Sequence, residues 1–278
     1  MRVVQGLDEL RTARQELEDP MGLVPTMGFL HEGHLSLVRR ARQECASVGV
    51  SIFVNPTQFG AEEDLQTYPV DLDRDLNLLR AEKVDLVWNP TTDEMYRPGY
   101  QTWVEVEDLT RNLEGEIRKG HFRGVTTVIS KLFNSFQPAR AYFGQKDAQQ
   151  AIVIQRMTQD LSFPLEVIVC PTVREEDGLA MSSRNSYLSP EERQAATVLY
   201  RALSTASEMF SNGERDADRL KAEMESILAT ENLASPEYAS VADPETLKEL
   251  QGPVEQALLL LAVYIGKTRL IDNVTVED

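Results

Sequence analysis

Across about the first 170 positions, short β-rich apolar runs alternate with hydrophobic residues spaced three or four apart. Residues 22–25 read as a short strand followed by a glycine-containing loop. From His34 onward, Leu35, Val38, Ala41 and Cys45 recur at helical spacing, which predicts an amphipathic helix. Residues 48–54 form the next predicted strand, ended by Asn55-Pro56, and Leu72, Leu76 and Leu79 mark a second helix. Residues 85–88 read as another strand. Val125, Val128, Ile129, Leu132, Phe133 and Phe136 give the cleanest helical stripe. A strand at 140–143, a helix through Ile152 and Ile154, and a strand at 165–170 complete the series. Such alternation predicts an α/β fold, a Rossmann-like parallel sheet flanked by helices, with ligands beyond the C-terminal ends of its strands.

The pattern changes near residues 171–188. Ser189-Pro190-Glu191-Glu192 follows, a helix start with Ser as cap, Pro at the first helical position and Glu returning to the cap. One long helix is predicted from there to about 211, stopped by Asn212-Gly213, with another over 216–230. Strands are predicted at 238–241, 256–265 and 268–272. The expected division is a Rossmann-like domain over 1–175 and a smaller α+β C-terminal domain over 176–278.

Composition narrows the function classes. The 278 residues are 42% hydrophobic and 26% charged, as in a soluble globular chain. A net charge of −17 argues against nucleic acid or an anionic membrane as partner, since both need a clustered positive field. The longest apolar run, 257–265, is too short to span a bilayer, and Met1 to Leu10 shows no secretory signal. Cys45 and Cys170 read as reduced buried thiols. A cytoplasmic location is expected.

Four stretches carry candidate chemistry. Pro25-Thr26-Met27-Gly28-Phe29-Leu30-His31-Glu32-Gly33-His34 stands between a predicted strand and a predicted helix, where unpaired N–H groups and a partial positive charge favour phosphate. His31 and His34 can face one anion, and Gly33 lets a nucleotide approach the backbone. A solvent-facing pair at a helix start explains the pattern equally well. No third nitrogen or thiol ligand lies nearby, so no metal ligands are assigned. In Phe143-Gly144-Gln145-Lys146-Asp147, Lys146 suits a phosphate and Asp147 a ribose hydroxyl, although a solvated turn is the commoner fate of such a sequence. Met181-Ser182-Ser183-Arg184-Asn185 has the hydroxyls and guanidinium of a mobile phosphate clamp, or of an ordinary linker. Gln58 and Gln150, each after a strand end, offer neutral amides that can bind hydroxyls and a carboxylate without damping its nucleophilicity. The carboxylates of residues 71–75 could assist a metal ion, with a solvated helix start as the simpler account.

In combination these stretches say more than each does alone. Pro-Thr-Met-Gly…His-Glu-Gly-His, Phe-Val-Asn-Pro-Thr-Gln-Phe, Phe-Gly-Gln-Lys-Asp-Ala-Gln-Gln and Met-Ser-Ser-Arg-Asn, beginning at Pro25, Phe53, Phe143 and Met181, together resemble the pantothenate synthetase (pantoate–β-alanine ligase) family over essentially the whole chain. The His-Glu-Gly-His element alone is shared with class I aminoacyl-tRNA synthetases and small nucleotidyltransferases. Arg184 stands where the synthetases' mobile loop has lysine, and Gln145 and Ala148 stand where the family pattern leads one to expect an acidic and often an aromatic residue.

The resemblance implies ATP-dependent condensation of (R)-pantoate with β-alanine through a pantoyl adenylate, releasing AMP and pyrophosphate, with Mg²⁺ accompanying ATP. It implies that His31, His34, Lys146 and Arg184 are catalytic. Met27, Gly144, Asp147, Val173, Met181, Ser182 and Ser183 would complete the ATP site. Gln58 and Gln150, supported by Asn55 and Arg118, would hold pantoate and β-alanine. The first domain would then bind the nucleotide and the second act as a lid, the four stretches meeting in one cleft. A homodimer is expected on the same ground. The rival readings are a nucleotidyltransferase acting on a phosphate-bearing acceptor and a catalytically silent nucleotide-binding regulator. An RNA-charging enzyme lacks any basic stripe here.

Overall fold

The computed structural model describes residues 1–61 and 63–277. The chain divides into two compact units, one comprising residues 1–144 and 149–171, the other residues 145–148 and 172–278. In the first unit, β1 (Arg2–Val4), β2 (Met21–Thr26), β3 (Ser47–Ile52), β4 (Leu86–Trp88), β5 (Arg140–Gly144) and β6 (Glu166–Cys170) form one sheet in the order β1-β4-β3-β2-β5-β6. Every pairing is parallel. The central strands are buried on both faces, so they read as continuous apolar runs. β1 and the helix Leu7–Gln15 escape sequence reading for the opposite reason: β1 is a three-residue strand with only Val4 buried.

Successive strand residues feed opposite faces of this sheet. Leu23 and Trp88 pack with Leu10, Phe133 and Phe136 on one side. Val24 and Val87 pack with Val38, Leu79 and Tyr142 on the other. Helices therefore cover both faces, as the alternation predicted. The chain adds β3 and β4 to one side of β2 and β5 and β6 to the other. Strand order thus reverses between β2 and β5, and ligands of doubly wound sheets settle at the C-terminal edge of such a reversal.

The second unit lays the helices Pro190–Ala195, Val198–Ser211 and Ala217–Leu228 beside an antiparallel sheet of β7 (Ala234–Ala242), β8 (Gln256–Ile265) and β9 (Thr268–Glu277), in that order. Its core joins Leu199, Leu203, Phe210, Leu220 and Met224 to Leu259 and Leu261. Ser189 and Glu192 form the predicted capping box. The single long helix expected beyond it is broken at Ala196–Thr197 into two. β7 and β9 outrun their predicted lengths because pairing with the buried β8 carries their polar ends. Both cysteines are free and buried. Among the described residues, no helix is long and apolar enough to cross a membrane.

Candidate active site

In the first unit, the chain leaves β2 through a loop that folds back onto the sheet. Thr26 Oγ1 donates to the Ser51 carbonyl at 2.8 Å and accepts the Gly28 N–H at 3.2 Å. Gly28 has φ +87°, and a Cβ there would lie 3.1 Å from Ile52 Cγ2 and 3.2 Å from an Asp75 oxygen, so glycine suits both the turn and the space. Asp75, 1% exposed, then accepts the Phe29 N–H at 2.7 Å and the Leu30 N–H at 2.8 Å. Burial pushes its carboxyl above the ordinary range against the pull of these two bonds. Far from being part of a solvated helix start, Asp75 is the pin of the loop that delivers the histidines. Asp71, by contrast, caps the helix Leu72–Ala81 through the Arg74 N–H.

His31 is the N-cap of the helix Glu32–Glu44. Its Nδ1 accepts the Gly33 N–H at 3.2 Å, and His34 Nδ1 accepts the His31 N–H at 3.3 Å. The rings sit 4.1 Å apart between centroids. Because each Nδ1 accepts, the neutral rings carry their hydrogen on Nε2. Two Nε2–H donors at a helix N-terminus form an arrangement suited to phosphate oxygens.

The turn after β3 is locked by Asn55, whose Oδ1 accepts from the Thr57 N–H, Thr57 Oγ1 and Tyr96 Oη. Its Nδ2 donates to Gln58 Oε1 at 3.1 Å and to the Gly124 carbonyl at 3.2 Å. All these bonds are made inside the protein, and one of them ties Asn55 to Gln58. Gln58 Nε2 lies 3.1 Å from Met27 Sδ, which brings the β3 turn against the β2 loop. Arg118, expected beside substrate, grips Glu63 with two bonds of 2.7 and 3.0 Å. Burial would raise the Glu63 carboxyl, but the Arg118 bond and charge more than reverse this and hold it below the ordinary range.

The third histidine, which sequence reading left without a role, sits behind Gln58. His121 Nδ1 donates to the Gln58 carbonyl at 2.7 Å, so Nε2 must accept from Arg118 Nη1 at 3.1 Å. Burial, and then the Arg118 charge, depress its pKa to about 4. Gln150 is half-buried and Gln149 buried. The Gln149 amide accepts from the Glu114 N–H and donates to the Leu109 and Asn112 carbonyls. Gly144 ends β5, and a Cβ there would meet open space.

In the second unit, the turn Gln145–Asp147 carries Lys146, whose Nζ lies 3.5 Å from an Asp147 carboxylate oxygen. The Val173 carbonyl accepts the Met181 N–H at 3.0 Å, closing a narrow loop just before Ser182. Ser182 caps the short 3₁₀ turn Ser183–Tyr187 by accepting the Arg184 N–H, and Ser183 is buried. Among the described residues, no group of three or more His, Cys, Asp or Glu side chains is placed to hold a metal ion.

The family model for Pantoate-beta-alanine ligase matches residues 2–275. The chain belongs to the pantoate–β-alanine ligase family. A pantothenate synthetase of Roseiflexus sp. (strain RS-1) is 60% identical over 277 residues, covering all of both chains. The crystal structure of pantothenate synthetase from Thermus thermophilus is similar with a TM-score of 0.96 and 48% identity over the full length of each. A pantoate-β-alanine ligase from Francisella tularensis, whose crystal structure holds β,γ-ATP and β-alanine, matches with a TM-score of 0.81 and 35% identity, covering 99% of this chain and 97% of that one. Membership of this ligase family accounts for the parallel sheet and for the separate antiparallel unit described above.

Proposed function

We propose that the chain uses ATP to join (R)-pantoate to β-alanine through a pantoyl adenylate. The observation that carries this reading is the 3.1 Å approach of the Gln58 amide to Met27, which sets a neutral acid-binding group against the loop that ends in His31 and His34. A nucleotidyltransferase acting on a phosphate acceptor would need cationic groups at that position, and Gln58 would have no task.

In the first step a pantoate carboxylate oxygen attacks the α-phosphorus of MgATP, the bond to the bridging β-phosphate oxygen breaks, and pyrophosphate leaves. In the second, the neutral amine of β-alanine attacks the acyl carbon, the bond to the AMP oxygen breaks, and the amine's extra proton passes to solvent. Such transfers depend on position and on countering charge that develops on phosphate oxygens. The Nε2–H groups of His31 and His34 are assigned to those oxygens, with His34 also a proton donor. Lys146, Ser182, Ser183 and Arg184 hold the triphosphate, and Asp147 the ribose. Met27, Gly144, Met181 and the Val173 backbone line the nucleotide. Gln58 and Gln150 hold pantoate, Asn55 and Arg118 keeping Gln58 in place. Mg²⁺ would enter as part of the nucleotide substrate and supply positive charge to the phosphates, with no protein ligands assigned to it. A cytoplasmic homodimer is part of the same proposal.

Purified protein given ATP, Mg²⁺, pantoate and β-alanine should release AMP and pyrophosphate only when pantoate is present. ADP and phosphate as products would replace the adenylate with an acyl phosphate, and pantoate-independent pyrophosphate would favour the nucleotidyltransferase. His34→Ala should lower turnover at least ~100-fold, the usual cost of losing a preorganised charge contact.

A further inference from the structure

We propose that Asn273, backed by Asp272 and Arg174, is a positioning residue that sets Lys146 and the Ser182–Arg184 turn for the triphosphate; this rests on the reading of those residues above. Asn273 lies on β9, an edge strand of the antiparallel sheet, and is 4% exposed. Its side chain does not serve its own strand. Nδ2 donates to the carbonyls of Gln145 at 2.9 Å and Lys146 at 2.8 Å, 128 and 127 residues away in sequence. Oδ1 accepts from Gln145 Nε2 at 3.2 Å, which fixes the orientation of the amide. Two consecutive carbonyls of a three-residue turn are thus held by one buried group.

The neighbouring residue continues the chain of contacts. The Asn273 N–H donates to Asp272 Oδ1 at 2.8 Å, and Asp272 takes Arg174 by both prongs at 2.6 and 3.0 Å. Arg174 also donates to the Gly178 carbonyl at 3.0 Å and lies 4.5 Å from the centre of the Tyr200 ring. It therefore stiffens the narrow loop that runs from Val173 to Met181 and delivers Ser182. The turn that follows, Ser183–Tyr187, packs on β9 as well. Adjacent residues of one strand thus anchor both segments assigned to the triphosphate. A lysine side chain is flexible, so freezing the backbone beneath it removes one source of freedom from its ammonium, alongside the Asp147 contact.

The test measures kcat and KM for ATP and for pantoate in Asn273→Ala, Asn273→Asp, Lys146→Ala and the Asn273→Ala/Lys146→Ala double variant, with hydrogen exchange on residues 145–148. Asn273→Asp keeps the side-chain volume but replaces both donors with an acceptor, so it separates lost bonds from a cavity. The expected result is a ~10–100-fold fall in kcat/KM for ATP in both Asn273 variants. KM for pantoate should stay within about twofold, exchange at 145–148 should accelerate, and the double variant should be no worse than Lys146→Ala alone. If Lys146→Ala is impaired while both Asn273 variants keep wild-type ATP kinetics, or if the two losses multiply, the positioning role is wrong. If Lys146→Ala itself turns over at the wild-type rate, the reading of Lys146 fails and the proposal with it. Should the Asn273 variants not fold, Arg174→Lys, which keeps the charge but not the two-pronged grip on Asp272, must show the same ATP-specific loss or overturn the proposal.

Discussion

Replacing His121 with asparagine should remove a large part of the protein's sensitivity to mild acid. His121 is 8% exposed, heads the helix His121–Phe136 and holds the Gln58 carbonyl through Nδ1. Burial and the Arg118 charge lower its pKa from 6.5 to about 4. A protonated ring would also face the positive end of the helix and would lose the Nε2 lone pair that accepts from Arg118. The sign follows from linkage. Between pH 6.5 and about 4 the unfolded chain binds this proton and the folded chain does not, so stability is complete above pH 6.5 and falls as the pH drops toward 4. The full displacement is worth about 3 kcal/mol, of which about 2 kcal/mol is lost between pH 7.5 and pH 5. Asparagine places an amide N–H near the position of Nδ1 and has no proton to gain. Urea unfolding of wild type and His121→Asn at the two pH values should therefore show the variant losing about 2 kcal/mol less on acidification. His31 and His34 are present in both proteins and cancel in the difference. Equal losses would refute the buried, neutral imidazole.

Two further substitutions probe the loops. In Asp75→Asn one charge-assisted N–H bond is lost and the new NH₂ faces a backbone donor, a cost of about 1.5–3 kcal/mol visible in thermal unfolding. Turnover should fall by as much as ~100-fold as His31 and His34 shift, whereas wild-type kinetics would show that Gly28 and Thr26 hold the loop unaided. Gly124→Ala sets a helix-propensity gain of about 1 kcal/mol against a Cβ placed 2.5 Å from the Thr57 carbonyl oxygen and 2.8 Å from the Gln58 nitrogen. These neighbours are backbone and cannot swing aside, so overpacking of about 1–3 kcal/mol wins and KM for pantoate rises. A variant that is more stable with unchanged KM would contradict the close packing.

Much of this protein was legible in the order of its residues. Periodicity of two and of 3.6 depends only on local spacing, so the alternation from Gly22 to Cys170, the capping box at Ser189 and the helix stripe from Val125 to Phe136 could be read directly. The placing of His31 and His34 at a helix start was legible for the same reason, since the strand–loop–helix junction lies within ten residues. The site's supports were not. Asp75 reaches Leu30 across 45 positions, His121 reaches Gln58 across 63, and Asn273 reaches Gln145 across 128. In sequence each is an ordinary polar residue. Only the tertiary structure determines which of them loses its water, and a buried polar group must find its partner wherever the fold places one.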